Sequence, residues 1–335
     1  MNLQTRYLGL SLAHPVIASA SPLSATFDGI RRLEDSGAAA IVTASIYEEE
    51  IEAEAAALDA FATIGAESHP EVTRYAPLPG YPGALAARLE LIRRACDSVS
   101  VPLIASLNGI TREGWTGIAA DLQAAGAAAI ELDLFHLPVD PSESSADVEA
   151  RLIETVRGVC AAVDIPVTVK LFPQFTAPAH LAGALAGAGA SGIVLFNRGY
   201  EPDIDLAALD FRSGLSLSTA ADIRQPVMWI ALLAGKTSLS LAGGRGVEGP
   251  DEVIKYLLAG ADAVQTASAL LRHGAGHLRR LVEGLADWLE AHGADSLGEI
   301  RGRVRAAGFA DPETRFRGGY RQTLLHGYPL SFSPR

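Results

Sequence analysis

Short apolar runs recur along the chain, each followed by a longer stretch of helical periodicity that closes near a glycine. The runs fall at residues 16–18, 40–43, 103–107, 129–134, 167–171, 192–196, 238–241 and 263–266. They are continuous rather than alternating, the pattern of strands covered on both faces. The stretches between them predict helices over 24–36, 82–99, 111–125, 145–163, 177–188, 219–234, 249–259 and 275–292. Phrases such as Ala125-Gly126-Ala127, Ala188-Gly189-Ala190 and Ala259-Gly260-Ala261 mark helix ends. A glycine there turns into the left-handed region, and small neighbours let the next strand pass close. Pro102 and Pro166 stand at strand entries, where a missing N–H is tolerated.

Strands alternating with helices imply a parallel sheet. With eight such units and no reversal signal, the expected fold is an α/β closed (β/α)8 TIM barrel. Residues 2–13 are expected to form a hairpin capping the barrel bottom. Residues 47–81 read as an insertion near the mouth after the second strand, and 294–335 as a polar C-terminal extension rich in arginine and aromatics. No linker composition intervenes, so residues 1–335 read as a single barrel domain.

Composition narrows the partners. The chain carries 39 acidic against 27 basic side chains, a net charge of −12, which argues against nucleic acid or an anionic membrane. The opening MNLQTRYLGL has no signal-peptide pattern, and no apolar window is long enough to span a bilayer. Cys96 and Cys160 make neither a disulfide framework nor a metal cluster, so a reducing, cytoplasmic setting is expected.

Active sites of such barrels lie at the carboxyl ends of the strands. The residues to weigh there are Ser19, Ser21, Ala44, Ser45, Asn108, Asp133, Phe135, His136, Lys170, Asn197, Arg198, Gly243, Gly244, Arg245, Ala267 and Ser268. Lys170 lies inside VTVKL. If it points into the barrel mouth it needs an anionic or carbonyl partner, such as a phosphorylated or flavin-like ligand; if outward, it snorkels to solvent. The Gly243-Gly244 turn lets backbone amides approach a ligand, and the loops after strands seven and eight commonly cradle phosphate in this fold. Asp133 and His136 form either an acid/base pair or a turn carboxylate with a half-exposed histidine. Glu131 lines the core or pairs with a cation. Asn197 is expected to point inward, and Arg198 to meet an anion or solvent. His273 and His277 share a helix face but lack a third ligand, so no metal site is expected. Glu48, Glu49 and Glu50 read as a solvated helix face.

Taken in order, PVIASAS, IVTAS, VPLIASLNG, AIELDL, IPVTVKL, IVLFNR, LAGGRG and GADAVQTASALL resemble the dihydroorotate dehydrogenase family, class 1 above all, and a bacterial dihydroorotate dehydrogenase-like branch more closely still. The resemblance implies FMN across the barrel mouth, a homodimer, and a small-molecule substrate. It implies that Ala18 and Ser19 pack against the isoalloxazine. Ser45, Asn108, Lys170 and Asn197 would meet its polar edge and ribityl chain, and Gly243, Gly244, Ala267 and Ser268 its phosphate. Asn197 and Arg198 would bind substrate.

The chain also departs from that family. Ala44 precedes Ser45 where the family has lysine; Asp133 and His136 occupy the slots of its N-x-x-C/S base motif; Pro138 replaces an asparagine; no M-G-x-P-N phrase occurs over 60–85. These departures argue against dihydroorotate itself and make His136 the candidate general acid/base, with Asp133 beside it, while the resemblance implies Lys170 near flavin N1/O2. The expected activity is hydride transfer between a small polar, dihydropyrimidine-like substrate and FMN N5. The alternatives are an electron-relay subunit working with a redox partner protein, and a flavin-free aldolase or isomerase using Lys170.

Overall fold

The computed structural model describes residues 1–63, 83–109, 112–212, 214 and 216–325. Eight parallel strands form the barrel: β1 (Val16–Ala18), β2 (Ile41–Val42), β3 (Leu103–Asn108), β4 (Ala129–Asp133), β5 (Val167–Leu171), β6 (Gly192–Leu195), β7 (Ser240–Gly243) and β8 (Ala263–Thr266). β1 pairs with both β2 and β8, the sheet runs on through β7, β6, β5 and β4 to β3, and β2 pairs with β3 to close the ring. This is the closed (β/α)8 barrel that the alternation predicts.

Strand pleating sorts the side chains into two layers. Ile17, Val42, Ile104, Ala129, Val194, Ala242 and Ala263 pack together inside the barrel toward its amino end. The hairpin Thr5–Tyr7/Leu10–Leu12 adds Tyr7, Leu8 and Leu12 to that cluster and so plugs the bottom, as residues 2–13 are expected to do. Alternate residues, among them Val16, Ala18, Leu103, Ala105, Ile130 and Val169, pack outward with helical side chains such as Ile30, Leu122 and Leu185. The helices start where the sequence supplies caps. Ser144 and Asp147 form a reciprocal capping box ahead of helix Ser145–Ala162, and Thr26 accepts from the Gly29 amide ahead of Phe27–Asp35.

Decoration gathers around this frame. After β2 a short strand, Ile46–Tyr47, pairs with β3 and leads into helix Glu48–Thr63; the glutamate run begins that helix with Glu49 and Glu50 exposed, but Glu48 is buried rather than solvated. The predicted helix starts at 82 and 111, most of the 60–85 segment, and the end of the C-terminal extension fall outside the described residues. Three elements carry no clear sequence signal. They are the exposed hairpin Asp203–Asp205/Asp210–Arg212, helix Ser268–His273, and helix Pro312–Leu325 within the polar extension. Among the described residues no helix is long and apolar enough to cross a membrane.

Candidate functional site

At the carboxyl ends of the strands the inward positions turn polar. Lys170 points into the barrel, its Nζ 2.8 Å from Glu131 Oε1 and 3.1 Å from Ser19 Oγ. Ser19 donates to Gln265 Oε1 at 3.0 Å, and the Gln265 amide donates to the second Glu131 oxygen. Four side chains from β4, β5, β8 and the end of β1 thus form a closed, buried network. A buried ammonium and a buried carboxylate are each costly alone, and satisfying both oxygens is what makes such a pair tolerable. The expectation that an inward Lys170 takes its counter-charge from a ligand is corrected here: Glu131 supplies it.

Asp133, one inward position beyond Glu131, is held differently. Asn197 Nδ2 lies 2.7 and 2.6 Å from its two oxygens. Burial raises its pKa to about 6, with the Glu131 charge adding to the shift, while Lys170 and the Asn197 hydrogen bond oppose it.

Asp133 lines a cavity of about 650 Å³ at the barrel mouth together with Ser45, Asn108, Lys170, Asn197 and Arg198. Ser45 Oγ is fixed by Ser106 Oγ at 2.8 Å. The cavity adjoins a recess of about 90 Å³, the two sharing walls at Lys170, Asn197, Arg198, Ala267 and Ser268. Ser19, Ser218, Gly244, Arg245 and Gly246 complete the recess. Ser218 donates to Ser268 Oγ from both its amide, at 3.1 Å, and its hydroxyl, at 3.0 Å. Arg245 reaches Asp222 at 3.3 Å through Nη2, while its Nε is buried with no acceptor.

The structure gathers most of the residues singled out in the sequence and separates three. Ala18 faces the helix layer and its side chain lines neither space. Gly243 also faces outward, where an added Cβ would sit 2.4 Å from the Tyr256 ring; only Gly244 of the pair lines the recess. His136 stands beyond Phe135, with Nε2 3.0 Å from Glu143 Oε2, and lines a neighbouring cavity of about 240 Å³ rather than the one holding Asp133 and Lys170.

Gln265, Ser218 and Gly246 were not singled out. Gln265 is a polar residue inside the apolar run of β8, the same signal that marks Lys170 in β5. Gly246 has φ +75°, and a Cβ there would lie 2.7 Å from the Ile223 nitrogen. Ser218 stands in a loop with no pattern around it. His273 ends one helix and His277 begins the next, rather than sharing a helix face; their rings lie 4.8 Å apart, tilted by 34°, both contact Glu248, and no group able to hold a metal occurs among the described residues.

No family profile matches the chain. An Aeropyrum pernix protein provisionally named dihydroorotate dehydrogenase A (fumarate) is 30% identical over 225 residues, covering 65% of this chain and 72% of that protein. The catalytic subunits of dihydroorotate dehydrogenase B (NAD(+)) from Methanothermobacter thermautotrophicus and Pyrococcus abyssi are 27% and 28% identical over 320 and 313 residues. Each match covers 90% of this chain, and 97% and 98% of the two relatives respectively. With the barrel and its polar mouth in the same chain, this similarity shows that the protein belongs to the dihydroorotate dehydrogenase family of oxidoreductases.

Proposed function

We propose that the protein is an FMN-dependent oxidoreductase acting on the CH–CH bond of a small, polar, dihydropyrimidine-like ring. The observation that carries this reading is that the mouth cavity and the recess adjoin, with Lys170, Asn197, Arg198, Ala267 and Ser268 in the walls of both. The donor chemistry fits the cofactor end to end. The recess offers the Ser218 and Ser268 hydroxyls, Gly244 without a side chain, and the orphaned Arg245 Nε, a set suited to a phosphate. Ser45, Asn108 and Lys170 offer polar groups along the wider part, suited to the edge of a flavin ring and its ribityl chain. Bound there, FMN supplies a two-electron hydride acceptor at N5.

The chain's own work is placement and proton transfer. Glu131 and Ser19 hold the Lys170 amine on the floor of the trough. Asn197 and Arg198 line the part left for substrate, and Asn197 fixes the Asp133 carboxylate there. In the oxidation of a C–C single bond of the substrate to a double bond, Asp133 would take the proton from one carbon, and accepting the hydride from its neighbour is the chemistry that FMN would supply. Asp133 rather than His136 is assigned this role because it lines the cavity. The flavin-free reading would need Lys170 free to attack a carbonyl, whereas its amine is engaged by Glu131 and Ser19.

The hairpin Asp203–Asp205/Asp210–Arg212 supports a homodimer. Its Ile204, Leu206, Leu209 and Phe211 are 59%, 84%, 84% and 68% exposed, more apolar surface than one small hairpin leaves uncovered without a partner. Sedimentation of the purified protein, with and without Leu206→Asp, tests this.

The cofactor reading is tested by purifying the protein and identifying any yellow chromophore released on denaturation. One FMN per chain is the expected result. A colourless protein whose melting temperature does not respond to added FMN overturns the proposal.

A further inference from the structure

Beyond the ring pair Phe135 and Phe172, the cavity that holds His136 has its own architecture. Its walls are apolar, built by Leu134, Leu137, Val148, Leu152 and Phe175. At about 240 Å³ it exceeds the roughly 150 Å³ apolar cavity that accommodates benzene. The polar groups at its edge satisfy one another: Glu143 accepts from His136 at 3.0 Å and also from Arg151. Glu201 also lines the edge and lies 3.6 Å from Arg198, so each charge there has a partner within the chain and the apolar walls decide what enters.

The position of this cavity says what it serves. Phe135, Phe172, Gly199 and Tyr200 line both it and the mouth cavity. The two phenyl rings meet at 4.8 Å, inclined by 41°, and both are half-buried, so part of the partition between the two spaces is a pair of side chains, beside the Gly199 backbone. Asp133 lies only two residues before Phe135. A ring held against Asp133 and Asn197 therefore has the second cavity one side chain away.

We infer that this cavity is a second subsite, taking an apolar ring or short apolar chain carried as a substituent on the substrate. Its polar head rests on the function proposed above; the pocket itself rests only on its walls and its contact with the mouth. The substrate class narrows accordingly, from a small polar ring to one bearing an apolar arm.

Two probes test this on the purified protein, p-cresol for the pocket and a benzyl-substituted dihydrouracil for the substituent, each titrated by calorimetry. Val148→Phe fills the pocket from helix Ser145–Ala162, and Gln174→Trp fills it independently from the segment after β5. Both probes are expected to bind at least tenfold more weakly to each variant, with circular dichroism and flavin content unchanged. The benzyl compound is expected to bind wild type at least tenfold more tightly than dihydrouracil. If p-cresol fails to bind wild type, or binds a folded variant equally well, the pocket assignment is overturned. If the benzyl compound fails to bind, or gains nothing over dihydrouracil, the substituent assignment is overturned. The cofactor reading fails separately: a colourless protein that still binds p-cresol in a Val148-dependent way sinks that reading and keeps the pocket.

Discussion

Lys170 stands level with Asp133 in the β4–β5 ladder, yet its ammonium reaches past that neighbour to Glu131, 2.8 Å away. The diagonal reach divides the two inward carboxylates of β4. Glu131 accepts from Lys170 and Gln265 and is locked into the barrel floor. Asp133 is left to Asn197 and faces the cavity. Two carboxylates separated by one leucine thus acquire different work from their surroundings alone.

Glu131 is accordingly a structural counter-charge. Glu131→Leu strands a buried ammonium and is expected to cost about 3–5 kcal/mol in urea denaturation, whereas the double change with Lys170→Met removes both charges and recovers most of that loss. Glu131→Gln, which keeps an acceptor, is expected to fall between. Equal stabilities for the single and double variants would show that the pair does not couple.

Asp133 carries the opposite signature. Its folded pKa of about 6 exceeds the ordinary 3.8, so the folded state binds the proton more tightly than the unfolded chain. Stability is therefore expected to fall as pH rises from about 4 to about 6, by an amount up to about 3 kcal/mol, and to level off above that. Asp133→Asn removes the buried charge and is expected to be the more stable protein at pH 7, with that part of the pH dependence abolished. Denaturant titrations of both proteins at several pH values check this. A wild-type stability that rises over the same window would contradict it.

Two glycines at and after the end of β7, Gly243 and Gly246, are constrained for different reasons. Gly243→Ala drives a methyl group into the Tyr256 ring, whose hydroxyl donates to the Arg245 carbonyl at 2.5 Å. The expected loss is about 1–3 kcal/mol from overpacking, read as a lower melting temperature in the absence of any ligand. Gly246→Ala meets both a left-handed φ of +75° and a backbone atom 2.7 Å away, so its effect is expected to be larger. A Gly243→Ala protein as stable as wild type would remove Tyr256 packing as the reason for that glycine.

The barrel was legible because strands covered on both sides must be continuously apolar, and a polar residue interrupting such a run has to be explained. That logic finds Lys170, and applied evenly it also finds Gln265. It leaves open which carboxylate answers the lysine, because that depends on how strands are staggered around the ring. Adjacent strand residues face opposite sides, so Gly243 and Gly244 do not act as a unit. Past Asp133 the strand ends and pleat parity no longer applies, which is why the three-residue spacing to His136 does not make a pair. The histidine is drawn instead to Glu143, seven residues on, in the loop before the next helix. The hairpin at 203–212 was hidden for another reason: its apolar residues are exposed and so lack the burial pattern that marks a strand.

The separation of Asp133 from His136 leads to a direct test of which group moves the proton. If Asp133 is the acceptor, flavin reduction by a competent substrate in the absence of oxygen should accelerate as pH rises through about 6, where its carboxyl ionises. Asp133→Asn should slow that step by about 10²–10⁴-fold, the usual weight of a positioned base, while retaining bound FMN. His136→Ala should leave both the rate and its pH midpoint in place, because His136 faces the neighbouring cavity and is tied to Glu143. The reverse outcome, with reduction lost in His136→Ala and kept in Asp133→Asn, would mean that the loop after β4 swings past Phe135 during turnover. In that event the histidine, not the aspartate, would have to reach the substrate.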